Sequence, residues 1–335
     1  MKNSKSQANA FSLLIILLLS IGFTSCKKQA TEKKEATTTT QQTKETPPFF
    51  KLSLAQWSLH RAIIDGSMNP IDFAQKANEM GFEGLEYVSG LYKGYLEKST
   101  DKKHAFQNML DSLKLKSEKY GLKNLLIMID GEGDLAATDE SVRNQAIENH
   151  KKWVDAGAFL GCHSIRVNLF GNGNNAEAWS KYSVISLKKL CQYGKEKNIN
   201  IIVENHGGFS SNATLLTKVI ADVGMDNCGV LPDFGNFCLK REGGDPWKGK
   251  CIEEYDRYKG VEQMMPYAKG VSGKSYDFDE NGNETTIDFK RMLKIVKDSG
   301  YTGFIDVEYE GERLSEEAGI EATKALLLKV AGELK

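Results

Sequence analysis

The sequence predicts a closed (β/α)8 barrel of the TIM type, preceded by an export segment and a tether. Three observations carry this. Eight short apolar, β-branched or aromatic runs alternate with helical stretches; the last three runs that close on an acid do so just before Gly, Asn or Tyr-Glu-Gly; and the first 49 residues have a composition unlike the rest.

Lys2 and Lys5 precede the apolar stretch Phe11 to Phe23, which is too short to span a bilayer as a permanent helix and reads as a secretory signal. It ends at Phe23-Thr24-Ser25-Cys26, and small residues directly before a cysteine resemble the lipobox at which bacterial lipoproteins are cleaved and acylated. The expected organisation is a lipoprotein signal over 1–26 with Cys26 as the lipid anchor, a disordered linker over 27–49 rich in Thr, Gln, Glu and Lys, and a single barrel domain over 50–335. The protein is then exported and membrane-anchored, facing the periplasm or the cell surface.

Lys plus Arg number 44 against 45 for Asp plus Glu. No excess positive field exists to gather phosphate backbones, so nucleic acid is not an expected partner. Beyond Cys26 stand Cys162, Cys191, Cys228, Cys238 and Cys251, without CxxC spacing. Zinc-finger and disulfide-scaffold readings are weak; buried reduced thiols, with room for one oxidised pair, are expected.

The strand-like runs are Leu52 to Trp57, Gly84 to Val88, Leu125 to Ile129, Ile165 to Leu169, Ile201 to Glu204, Gly229 to Asp233, Gly270 to Lys274 and Phe304 to Glu308. Helices are expected over Pro70 to Met80, Ala105 to Tyr120, Asp139 to Leu160, Trp179 to Lys197, Asn212 to Val223, Tyr255 to Tyr267, Ile287 to Ser299 and Glu317 to Leu334. Gly81, Gly121 and Gly300 follow three of them, where a left-handed cap stops a helix before the next strand. No Gly-x-Gly-x-x-Gly follows the first run, which argues against an open dinucleotide-binding sheet.

Glu204, Asp233 and Glu308 sit at the tips of runs five, six and eight. An acid there is poorly placed for a core and well placed for a barrel mouth. Around them, Trp57 and His60 after run one would stack against and hydrogen-bond a ligand at the mouth, His60 being otherwise a loop histidine. Glu86 on run two either binds a hydroxyl or is a paired structural acid. Arg166 and Asn168 share one face by period-two alternation and either line the interior or leave Arg166 in a structural ion pair. Asn205 and Asn236 follow the tip acids and serve either the site or the turns. Trp247 is either a lid aromatic or a loop anchor, Asp130 to Asp134 reads as a turn, and Glu310 stands outside the first ring of groups.

Residues 80–86 (Met-Gly-Phe-Glu-Gly-Leu-Glu), Val203-Glu204-Asn205-His206, Pro232-Asp233-Phe234-Gly235-Asn236 and the segment Tyr301 to Glu308 together resemble the xylose isomerase-like TIM-barrel superfamily, and within it the sugar phosphate isomerase/epimerase group. The likeness runs from Leu52 to the C-terminus. It implies one Mn, Mg, Co or Zn ion held by a Glu, an Asp, a His and a Glu on strands five to eight. By position these are Glu204, Asp233 and Glu308; strand seven offers Ser272 or Lys274 where the His is expected. His206 would supply the missing nitrogen ligand, or Lys274 would pair with the carboxylates and partly replace the cation. The resemblance further implies proton transfer beside a sugar carbonyl through an enediolate, with Glu204 and Glu308 as the proton-transferring pair. The same barrel would support β-elimination from a 3-keto-glycoside with His206 or Lys274 as proton donor, or non-catalytic sugar binding. An exported enzyme meets few sugar phosphates, so a free sugar or keto-sugar is the expected partner.

Overall fold

A computed structural model describes residues 47–171, 175–245 and 248–334. Eight parallel strands form the inner wall: β1 Lys51–Ala55, β2 Gly84–Val88, β3 Lys123–Met128, β4 Ser164–Val167, β5 Asn200–Glu204, β6 Cys228–Leu231, β7 Val271–Ser275 and β8 Phe304–Tyr309. The pairing order is β6-β5-β4-β3-β2-β1-β8-β7, every pair parallel. The seam between β6 and β7 closes through the isolated bridges Val230–Ala268 and Asp233–Ser272. Ser272 N donates to Pro232 O at 2.9 Å and Phe234 N to Ser272 O at 3.2 Å. Pro232 has no N–H to offer, so this seam is stitched at points and has no continuous ladder.

The strands are apolar because both faces are covered. Leu54, Ile165, Ile201, Val203, Val230, Val271, Ile305 and Val307 are fully buried, as parallel β-branched strands under a helical ring must be. The helices between them begin and end where side chains can satisfy loose backbone groups. Asp139 and Asn212, expected as first helical residues, are N-caps, their carbonyl-type oxygens accepting from Val142 N at 2.9 Å and Leu215 N at 3.2 Å. Gly121 ends its helix at φ 67°, a left-handed conformation that favours glycine.

Two features depart from the expected runs. The segment after Ala55 turns into a 3-10 helix, Gln56–Leu59, lifting Trp57 and His60 off the strand. Between β6 and its helix the chain makes an antiparallel hairpin, Cys238–Arg241 with Cys251–Glu254, closed by a Cys238–Cys251 disulfide. Cys162, Cys191 and Cys228 are buried thiols. Trp247 lies outside the described residues, as do Cys26 and the apolar stretch before it. Among the described residues no helix is long and apolar enough to cross a membrane.

Candidate active site

Glu204 is the last residue of β5, Asp233 lies two residues beyond β6, and Glu308 is the fifth residue of β8. The barrel brings them together: one carboxylate oxygen from each lies within 4.8 Å of the others, and all three residues are buried. Local structure explains their aim. Asp233 closes a tight turn in which Gly235 N and Asn236 N donate to its Oδ1 at 2.8 and 2.7 Å. Asn205 locks that turn to β5, accepting from Asp233 N at 2.8 Å and donating to Asp233 O at 3.0 Å. Asn236 Nδ2 donates to Glu204 Oε1 at 3.0 Å.

The seam of β7 and β8 is a stack of facing pairs. Ser272 opposes Asp306 and Lys274 opposes Glu308; period-two alternation sets Tyr276 and Glu310 as the next pair towards the mouth. Ser272 Oγ lies 2.9 Å from Asp233 Oδ2 and 3.1 Å from Glu308 Oε2. Lys274, 1 % exposed, holds its ammonium 3.1 Å from Glu308, 3.2 Å from Glu310 and 3.6 Å from Asp233. Trp57 Nε1 donates to Glu310 at 2.5 Å, and its ring stacks on His60 at 4.5 Å between centroids.

Several residues expected to contact substrate hold other groups of the site. Arg166 lies 2.8 Å from Glu204 through Nε and 2.9 Å from Asp130 through Nη1; a buried guanidinium must be paired, and this pairing also orients Glu204. Asn168 is committed too, donating to Asp130 at 2.8 Å and accepting from His206 Nδ1 at 2.8 Å. The carboxylate group that could hold a metal consists of Glu204, Asp233 and Glu308 without His206, whose Nδ1 bonds Asn168 Oδ1 at 2.8 Å and whose ring centroid lies 6.0 Å from that of Phe170. Glu86 is a paired interior acid: mid-strand, it accepts from Ser53 Oγ at 2.8 Å and lies against Asp306. His60 Nδ1 is occupied by Trp57 O at 2.6 Å.

Asp130, Asp306 and Tyr276 escaped sequence reasoning, and Ser272 was singled out only as standing where a His is expected. Alternation along β7 and β8 was the available signal for Asp306 and Tyr276. Asp130 lies in a loop that reads as a turn, and only the fold sets it beside Arg166.

Burial dominates the electrostatics, since a desolvated carboxylate resists ionising. It pushes Glu308 up to about 8 and Asp233 up to about 6 despite the opposing ammonium of Lys274. Glu86 is pushed up to about 7 and Asp306 well above the carboxylate range. His206 is driven down to about 3, by burial and then by Arg166 and Lys274, and is a neutral imidazole. Burial also opposes ionisation of Asp130 and Glu310, but Arg166 and Lys274 respectively outweigh it and hold both below their usual values.

The donor set suits a divalent cation. Five carboxylates, Asp130, Glu204, Asp233, Glu308 and Glu310, face two cations, so ionised they leave a surplus of negative charge. The single hydroxyl proton of Ser272 cannot serve both carboxylate oxygens beside it. Such buried acceptors call for a proton or a metal ion, and all-oxygen ligation favours a hard one.

Comparison with known proteins agrees with this architecture. The "Xylose isomerase-like TIM barrel" family matches residues 74–330. The chain is similar to a zinc-binding IOLI protein, with TM-score 0.62 and 16% identity over 85% of this chain and 99% of the other. It is similar to the 3-keto-D-glucoside 4-epimerase YcjR of E. coli, with TM-score 0.60 and 15% identity over 83% and 98%. A magnesium complex of a xylose isomerase-like barrel from Mycobacterium smegmatis gives 0.58 and 14% over 87% and 100%. Among curated proteins, a 3'-dehydrocarminate deglycosidase alpha subunit from a Microbacterium species is 44% identical over 48 residues, 14% of each chain. That span is too short to carry an activity across. The matched family covers most of the folded chain, and the chain belongs to the Xylose isomerase-like TIM barrel family.

Proposed function

We propose that the protein is a sugar isomerase or epimerase that moves a proton beside the carbonyl of a free sugar or keto-sugar. The observation that carries this is the convergence of Glu204, Asp233 and Glu308 within 4.8 Å at the barrel mouth. Glu204, Asp233 and Glu308 would hold a divalent ion of the Mg, Mn, Co or Zn kind, which when bound polarises a carbonyl and stabilises negative charge on oxygen.

Glu204 and Glu308 differ in a way that suits proton transfer. Glu204 is ion-paired to Arg166 and fixed by Asn236, so its carboxylate is presented at a set angle as a base. Glu308, held by Lys274 and Ser272 across the carboxylate group, is the partner that returns a proton. Lys274 restrains Asp233, Glu308 and Glu310, and supplies fixed positive charge next to where an enediolate oxygen would form. Transfer by one base isomerises and transfer by two epimerises. In deuterated water, Glu204→Gln or Glu308→Gln is expected to abolish solvent-deuterium incorporation into ketoses and 3-keto-glucosides while circular dichroism stays unchanged. Full turnover by both variants would sink the assignment.

We also propose export and lipid anchoring at Cys26. Two features support this: the apolar stretch that ends at that residue, and the Cys238–Cys251 disulfide, a linkage suited to an oxidising compartment.

A further inference from the structure

Tyr276 is the first residue past β7, half-buried, on the same face of the chain as Ser272 and Lys274. That face is the interior of the barrel, and Tyr276 is the outermost of the three, beside Glu310 and the rim made by Trp57. Gly235 fixes where the phenol lies. A Cβ at Gly235 would stand 2.5 Å from Tyr276 Oη and 2.9 Å from Lys274 Cδ. The hydroxyl therefore rests over the turn whose N–H groups hold Asp233, in space that only glycine leaves open. Its backbone is tethered as well, Tyr276 N donating to Glu284 at 3.3 Å, so the ring has a fixed base. Trp57 and Lys274 are each bonded to acids, and Arg166, Asn168 and Asn236 are committed to Asp130 or Glu204. Tyr276 Oη bonds none of these groups.

We infer that Tyr276 is a substrate-contacting residue, its hydroxyl donating a hydrogen bond to the sugar oxygen that gains negative charge when the neighbouring carbon loses its proton. The inference rests on the isomerase reading for the identity of that oxygen; the contact itself rests on position. The phenol suits the role. Burial holds it well above its usual range, against the pull of the Lys274 ammonium, so it stays an O–H donor through neutral pH. Phenol to developing oxyanion is a charge-assisted bond, stronger in the transition state than in the ground state.

The test compares the full chain with its Tyr276→Phe variant, which keeps the ring and removes only the hydroxyl. Deuterium exchange beside the carbonyl is followed by NMR for D-fructose, D-tagatose and methyl 3-keto-α-D-glucoside, and calorimetry measures affinity for the same three sugars. The expected result is a fall of about 10- to 100-fold in kcat/KM, borne mainly by kcat, at an unchanged melting temperature. A purely structural tyrosine predicts no change in kcat or affinity for the Phe variant, and that outcome overturns the inference. If the wild type binds a sugar without exchanging it and the variant binds it at least tenfold more weakly, the contact stands and the isomerase reading falls. If the wild type neither exchanges nor binds any of the three, both fall.

Discussion

Lys274 is the residue on which this site differs most from the ligand set its resemblance implies. A long ammonium in the barrel interior is unfavourable to bury alone, yet three carboxylates within 3.6 Å surround it. Replacing it by Met leaves those acids without their compensating charge. Breaking a buried ion pair from one side typically costs about 3–5 kcal/mol. Chemical denaturation of metal-free Lys274→Met is expected to show a loss of that order, and millimolar Mn2+ is expected to recover much of it by occupying the same carboxylates. A variant as stable as wild type, or one indifferent to Mn2+, contradicts this account of the cluster. Legibility at this scale was uneven. Glu204, Asp233 and Glu308 are readable because an acid at a strand tip before a turn has no good structural role. Arg166, Asn168 and Glu86 are polar and inward-facing for a different reason, which is to satisfy other buried polar groups, and one sequence cannot distinguish the two.

At the scale of elements, periodicity located the eight strands to within a few residues, because strands buried on both faces read as short apolar runs. Their ends were less visible. The run expected to reach Trp57 stops at Ala55, where Gln56 turns inward to donate to Tyr92 Oη at 2.9 Å and accept from Val88 N at 3.0 Å, starting a 3-10 turn. That turn puts Trp57 where it meets Glu310, a contact across 253 positions of sequence. The hairpin after β6 is likewise hidden in sequence, being polar and Gly-rich, but the odd cysteine count allowed one oxidised pair and Cys238–Cys251 is that pair. The element before the barrel carries its own prediction. Cys26→Ser is expected to move the protein from the membrane fraction to the soluble fraction of its cell envelope and to remove fatty-acid labelling; a labelled, membrane-bound Ser variant contradicts anchoring at that residue.

For the molecule as a whole, the buried acids couple stability to pH. Glu308, Asp233 and Glu86 have folded-state values raised to about 8, 6 and 7, above those of the unfolded chain. Such groups favour folding while protonated, and that contribution is lost as pH rises through the folded values. In the absence of divalent ions the melting temperature is therefore expected to fall between about pH 6 and pH 8, and saturating Mg2+ or Mn2+ is expected to flatten the slope, because the cation then favours the ionised acids. A metal-free protein whose stability rises across that window contradicts the burial argument. The chain's own pattern determined the alternation of strand and helix, the near balance of acidic and basic side chains and the acids at the strand tips, since each follows from spacing and composition alone. Only the tertiary structure decided which groups share a charge. Asp130 with Arg166, Glu310 with Trp57 and Tyr276 over Gly235 are contacts between distant segments, and closing the barrel is what brings them within range.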